Sequence, residues 1–407
     1  MKKTIIILVL LSLILAMAGC SGTGTKRAAD KTDFNSVLAS AKGTTVNFYG
    51  WGGSDQTNKW VDTALAQYVK DNCGVTLNRV PMDIDQILNK LLGEKQAGRE
   101  KGSVDLVWIN GENFYTAMEN QLLYGPFTRY LPNYEKYVDT GSDDVNYDFG
   151  YPVNGYEAPY GKAQFVLINN RLRTPEVPGS AQELLEYAKK YKGQVTYPAP
   201  PDFTGSAFVR NIIYDVAGYD KVKNLTANED EVKKAIQPAM EYLKELKPYL
   251  WKEGKTYPSA IAQLDNMYSD GEVVMTMAYN PNQVASMIEN GQFPDSSAAF
   301  LFNKGTIGNT HFLAIPANAS NIDGALTVIN TVLSPQMQAS KYDPANWGDL
   351  PVNAMDKLSD PEHSLFTMVK SGNGVPSPDE LLSKRVGELS ADVVPVIEKI
   401  WQEEIPD

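Results

Sequence analysis

The run Val104-Asp105-Leu106-Val107-Trp108-Ile109 is apolar at nearly every position. A strand with one face in water alternates apolar and polar residues, so a run without alternation implies burial on both faces, between layers of helix. The flanking segments supply such helices. Val46-Asn47-Phe48-Tyr49 alternates as a strand, and Ser54 or Asp55 then caps a segment with Trp60, Val61, Ala64, Leu65, Tyr68 and Val69 at helical spacing. Gly74 closes that helix, a second strand is predicted over 75–80, and Ile84, Ile87, Leu88, Leu91 and Leu92 form the stripe of a second helix. Alternation of strand and helix predicts an α/β domain with a mostly parallel sheet.

Beyond a loop-rich, tyrosine-rich stretch at 124–156, the pattern resumes with Ala163-Gln164-Phe165-Val166-Leu167-Ile168-Asn169. Helix signals follow at 181–191, 206–217 and 229–246, strand signals at 194–197, and a buried strand at 272–279. Two α/β halves of comparable size fit 407 residues, since single domains run to roughly 100–200. No internal repeat or low-complexity block interrupts them.

Residues 1–19 combine Lys2 and Lys3, an apolar core between Ile5 and Leu15, and the small residues Ala18-Gly19 before Cys20. This is the pattern of an export signal, too short for a membrane span of ~20 residues. Its Ala-Gly-Cys ending resembles the lipobox of bacterial lipoproteins, which implies acylation of Cys20 and membrane attachment through the lipid. Residues 20–44 begin small and polar and read as a flexible tether. Net charge is −12, which argues against nucleic acid or an anionic membrane surface as the main partner. Only Cys20 and Cys73 are present, so no disulfide framework is expected and Cys73 is predicted to be a small buried hydrophobe.

Three strand ends carry the same punctuation: Gly50-Trp51-Gly52-Gly53-Ser54, Asn110-Gly111-Glu112-Asn113 and Tyr279-Asn280-Pro281-Asn282. In open α/β sheets ligands bind at the carboxyl ends of strands, where glycine admits close backbone approach and polar groups direct hydrogen bonds. Turn geometry and capping alone would use the same residues. The stretch Pro198-Ala199-Pro200-Pro201-Asp202-Phe203-Thr204-Gly205-Ser206 stiffens the approach to a helix start. Free N–H groups and two hydroxyls there would suit an anion, the alternative being a plain cap by Thr204 or Ser206. In Asn346-Trp347-Gly348-Asp349 an aromatic face lies beside a carboxylate, either to hold a cationic group or as a packed surface corner. Tyr160, in Tyr156-Glu157-Ala158-Pro159-Tyr160-Gly161, is a hint of the same kind.

Only His311 and His363 occur, and His311 reads as a satisfied strand or loop histidine. No metal-binding histidine motif, nucleophile elbow, phosphate-binding lysine loop or cysteine cluster is present, so neither a metal nor a cofactor is expected. Paired carboxylates for glycan or phosphate-ester hydrolysis remain an alternative.

Taken in order, the lipobox, the tether, Val46-Asn47-Phe48-Tyr49-Gly50-Trp51, the 104–110 strand, and the segments 156–169 and 271–282 resemble an extracellular solute-binding protein of an ABC importer. The branch it is most similar to handles polyamines, thiamine, iron and aminophosphonates, and within it the YnjB-like group. The resemblance implies a two-lobed type II periplasmic-binding fold with the ligand in the cleft, 45–162 plus 305–340 forming one lobe and 163–304 plus 341–407 the other. It implies a monomer that captures a small polar organic solute, anionic or zwitterionic, with or without an amine, without chemistry and delivers it to a permease with its ATPase subunits. Trp51, Gly52, Asn110, Glu112 and Tyr160 would line one side of the cleft, and Phe203, Thr204, Gly205, Ser206, Tyr279, Asn280 and Trp347 the other.

Overall fold

The computed structural model describes residues 33–370 and 372–406. The export signal, Cys20 and the first part of the expected tether lie outside the described residues; the rest of 20–44 is no tether, since Phe34–Ala41 is a helix that buries Val37 and Ala41 in the first core. The strands are β1 (Thr45–Gly50), β2 (Thr76–Pro81), β3 (Leu106–Ile109), β4 (Tyr147–Asp148), β5 (Tyr151–Pro152), β6 (Glu157–Gln164), β7 (Val166–Asn170), β8 (Met275–Ala278), β9 (Ser297–Phe300), β10 (Thr306–Ala314) and β11 (Arg385–Val386).

β1 pairs in parallel with β2 on one side and β3 on the other. Helices cross over between them as the periodicity predicts. Ser54 accepts from the Thr57 N–H at the start of the first, and Gly74 closes it at φ 68°, a left-handed geometry that glycine adopts without strain. Successive side chains enter opposite cores: Val46, Phe48 and Leu106 pack with Trp60 and Leu65, while Tyr49, Val107 and Ile109 pack with Ile87, Leu91 and Phe114. This is the double burial implied by the apolar run. Asp105 sits within that run because its carboxylate accepts from the backbone N–H groups of Asn47, Ser320 and Asn321 at 2.9–3.1 Å.

β10 joins this sheet antiparallel to β3 and β6, with β11 parallel on it. Only Phe165 separates β6 from β7, the central strand of a second sheet between β8 and β9. That sheet differs from the mostly parallel one expected, because both neighbours run antiparallel to β7. β7 carries the chain away from the first sheet, whereas β8 and β9 both run back towards it, β8 ending where the Gln164 N–H donates to the Tyr279 carbonyl and β9 continuing into β10. Helices Ala181–Lys190, Phe203–Ile213, Glu229–Leu246 and Val394–Glu404 bury Leu184, Ile212, Met240 and Trp401 in one core over this sheet.

Three further expectations are corrected. Residues 194–197 form no strand; the Val274 and Trp251 N–H groups donate singly to the Gln194 and Val195 carbonyls, without a continuing ladder. Trp347 and Val352 pack in the first core rather than with the second half, because Leu350 accepts from the Lys162 N–H and the Val352 N–H donates to Gln338. Cys73 is half-buried, since it ends the helix Ala66–Cys73 with its Sγ 3.6 Å from Thr331 Oγ1. Among the described residues no helix is long and apolar enough to cross a membrane.

Candidate functional site between the two halves

β1 and β3 end side by side, so Trp51 and the Asn110-Gly111-Glu112 turn share one sheet edge. Trp51 is 48% exposed and meets the half-buried Trp108 edge-on at 6.5 Å between ring centroids. Gly52 is required where it stands, because a Cβ there would press into Pro81. Gly111, at φ 61°, caps helix Glu112–Glu119 and donates its N–H to Asp148 Oδ2 at 2.6 Å. Glu112 is half-buried; Asn113 reaches one of its oxygens at 3.5 Å, while Oε2 has no partner.

Across from this edge stands Arg210, 1% exposed, in the helix Phe203–Ile213. Its guanidinium donates to Glu388 at 3.2 and 3.4 Å, to Ser206 Oγ at 2.6 Å and to the Tyr279 hydroxyl at 3.3 Å. Tyr279 and Asn309 also donate to Glu388. Phe203 packs on Tyr279 at 4.8 Å and, from the other half, meets Phe149 at 6.4 Å. Burial is the largest influence on Arg210 and opposes its charge, but Glu388, Tyr279, Tyr214 and Glu112 together outweigh it and hold the guanidinium protonated. Burial raises the Glu112 carboxyl to about 7 against its own backbone N–H and Arg210, with Glu398 and Glu388 adding to the rise.

The helix start at Thr204 and Ser206 is not the open anion site expected. Asp202 caps it, accepting from the Thr204 and Gly205 N–H groups at 3.0 and 2.8 Å, and from Ile261 N–H at 3.0 Å. A carboxylate of the chain itself already occupies the positive end of the helix. Thr204 is buried, Ser206 accepts from Arg210, and Gly205 is glycine because a Cβ would collide with the Pro198 carbonyl.

The Trp347 loop also departs from both readings offered for it. Trp347 is 6% exposed and packs among Trp60, Trp108 and Tyr160 at 5.3–5.6 Å. Asp349 beside it is bound by the buried Lys341 and, at 3.0 Å, by His311. The cation that this carboxylate holds is a lysine of the protein. Asn280, at the end of β8, donates to the Trp347 carbonyl at 3.3 Å and so joins the two halves. Thus Trp51, Tyr160 and Trp347 cluster through Trp108, whereas Glu112, Phe203, Ser206 and Tyr279 gather around Arg210.

Residues 63–361 match the family model described as bacterial extracellular solute-binding protein. The chain belongs to that family. It is 39% identical over 335 residues to protein YnjB of Escherichia coli strain K12, covering 82% of this chain and 86% of YnjB. Its fold is similar to that of an ABC transporter substrate-binding protein from Bradyrhizobium japonicum, with a TM-score of 0.63, 18% identity, and 89% and 99% of the two chains covered. A putative spermidine/putrescine ABC transporter protein from Listeria monocytogenes aligns with a TM-score of 0.60 and 18% identity over 88% and 98%. The two-lobed fold and the role as solute-binding component of an ABC transporter follow, with a small molecule and a permease as partners.

Within this member of the family, sequence reasoning missed Arg210, Glu388, Glu398, Phe149 and Asp148. Arg210 carried a signal: it stands among Phe208, Val209, Ile212 and Ile213, where a charge must be buried and therefore paired. The others lie in loops, in the short strand β4 or in a distant helix, whose approach is set only by tertiary packing.

Proposed function

We propose that the protein captures a small polar organic solute bearing an amine, zwitterionic or cationic overall, between its two lobes. The observation that carries this reading is the half-buried Glu112, whose Oε2 has no partner while the facing guanidinium of Arg210 is taken by Glu388 and Ser206. A cationic group supplies the missing partner, and the exposed faces of Trp51 and Phe203 offer walls for a flat or alkyl portion. The anionic subsite first expected at Thr204 has no such support, because Asp202 fills it. Closure is stabilised by contacts available only when both lobes touch the solute, and the closed form is the one presented to the permease.

We assign 33–162 with 308–353 to the first lobe and the rest of the described chain to the second, following the cores. The protein works as a monomer, held at the outer face of the membrane by lipid on Cys20, beside a permease and its ATPase subunits. Isothermal titration with amines, amino acids, thiamin and simple carboxylates tests the ligand class. Binding of amine-bearing compounds that Glu112→Gln weakens at least tenfold is expected, and binding of carboxylates alone overturns the reading. For the anchor, Cys20→Ser is expected to shed the acyl mass and release the protein from the membrane fraction.

A further inference from the structure

Around Glu112 carboxylates outnumber cations. Glu388 faces it from the segment after β11, Glu398 from helix Val394–Glu404, and Asp148 from β4 through the Gly111 turn. Arg210 stands opposite it, already bound by Glu388 and Ser206, and Arg385 of β11 acts on Glu388 but is held by Asp144 and by the Ala163 and Asn309 carbonyls, while Tyr279 and Asn309 spend their donors on Glu388. Behind Asp148 lies Glu157 at the start of β6, fully buried; no donor other than a proton shared between these two carboxyls reaches Glu157 or Asp148 Oδ1.

Carboxylates this close and this dry cannot all be ionised. Without a solute, protons supply the positive charge that the side chains lack. Glu112 is the member of the set that combines partial exposure with an oxygen free of partners, so its proton exchanges with a solute. Its carboxyl, raised to about 7, holds that proton for half the molecules near neutrality.

We propose that the ammonium or amidinium group of the solute replaces the proton on Glu112, so that capture releases a proton and weakens as the medium is acidified. This rests on the cation reading given above. The O–H bond of Glu112 breaks, the proton passes to buffer, and the carboxylate left behind accepts from an N–H of the solute. One positive charge enters as another leaves, so lobe closure buries no new net charge.

Titration calorimetry with spermidine, putrescine and thiamin, in buffers of unlike ionisation enthalpy, reads the proton directly. About half a proton released per solute is expected at pH 7, with affinity roughly 30-fold weaker at pH 5.5 than at pH 8. Binding with no proton exchange and a flat pH profile overturns the inference and leaves the cation reading standing. Failure of every cationic probe to bind at any pH overturns both. A second measurement needs no solute: potentiometric titration of Glu112→Gln against wild type is expected to show one proton fewer between pH 5.5 and 8.5. An unchanged count, or its loss in Asp148→Asn instead, removes Glu112 from the role.

Discussion

A methyl group at position 205 would collide with the Pro198 carbonyl oxygen, because the helix Phe203–Ile213 begins flush against the proline-rich loop. Gly205→Ala is expected to destabilise by about 1–3 kcal/mol, read as a lower urea midpoint with unchanged far-ultraviolet circular dichroism. A second consequence at this scale concerns protons. Burial raises both Asp148 and Glu157, with the charge of Glu112 adding to the first and that of Asp148 to the second. The folded chain therefore holds more protons than the unfolded one. The stability of the neutral pair is present below the ordinary carboxylate range near pH ~4 and is lost as pH rises through the raised folded values. Glu157→Gln removes one titration, so the variant is expected to gain stability relative to wild type between pH 5 and 8. Urea midpoints across that range check it. Trp51, Glu112 and Tyr279 were legible as candidate residues because strand-end loops follow from local pattern, and Phe203 because a proline-rich stretch opens its helix, whereas Glu388 and Phe149 approach them only through packing.

Single helices and strands show the same division. The caps at Ser54 and Gly74 and the stripe from Ile84 to Leu92 follow from spacing, and the helices form where spacing puts them. Pairing direction does not follow from spacing, which is why the second sheet differed from expectation. The start of helix Phe203–Ile213 departs from the local pattern because an aspartate before a Phe-Thr-Gly-Ser run competes with both hydroxyls for the cap, and Asp202 gains a third donor from Ile261. Asp202→Ala is expected to cost about 1–2 kcal/mol in thermal or urea unfolding. The Lys341–Asp349–His311 group ties the helix Pro335–Tyr342 to β10 in the first core. Burial lowers the lysine, while His311 and Lys341 overcome burial to lower Asp349. Lys341→Met strands the buried carboxylate and is expected to cost about 3–5 kcal/mol; adding Asp349→Leu is expected to restore most of it.

At the scale of the molecule, the two sheets communicate through β6–β7 and β9–β10, lying side by side, and through the segment after β11. Ala391 in that segment donates its N–H to the Phe149 carbonyl at 2.8 Å. If lobe closure accompanies capture, small-angle scattering is expected to show a smaller radius of gyration on saturation with an amine that binds. At a concentration about 100 times Kd, the same amine is expected to add about 2.7 kcal/mol to unfolding.

The interleaving of the two cores also governs how the chain acquires its structure. The first core begins with Val37 and is completed by Val352, and the second runs from Phe165 to Ile405. Neither can close while the chain is still emerging in order from its amino terminus, since each waits for residues that appear late. This chain's family works outside the cell, and a chain that crosses a membrane through a narrow channel does so unfolded. Here the order of the residues leaves both cores incomplete until at least Val352 has been made, which favours such a passage.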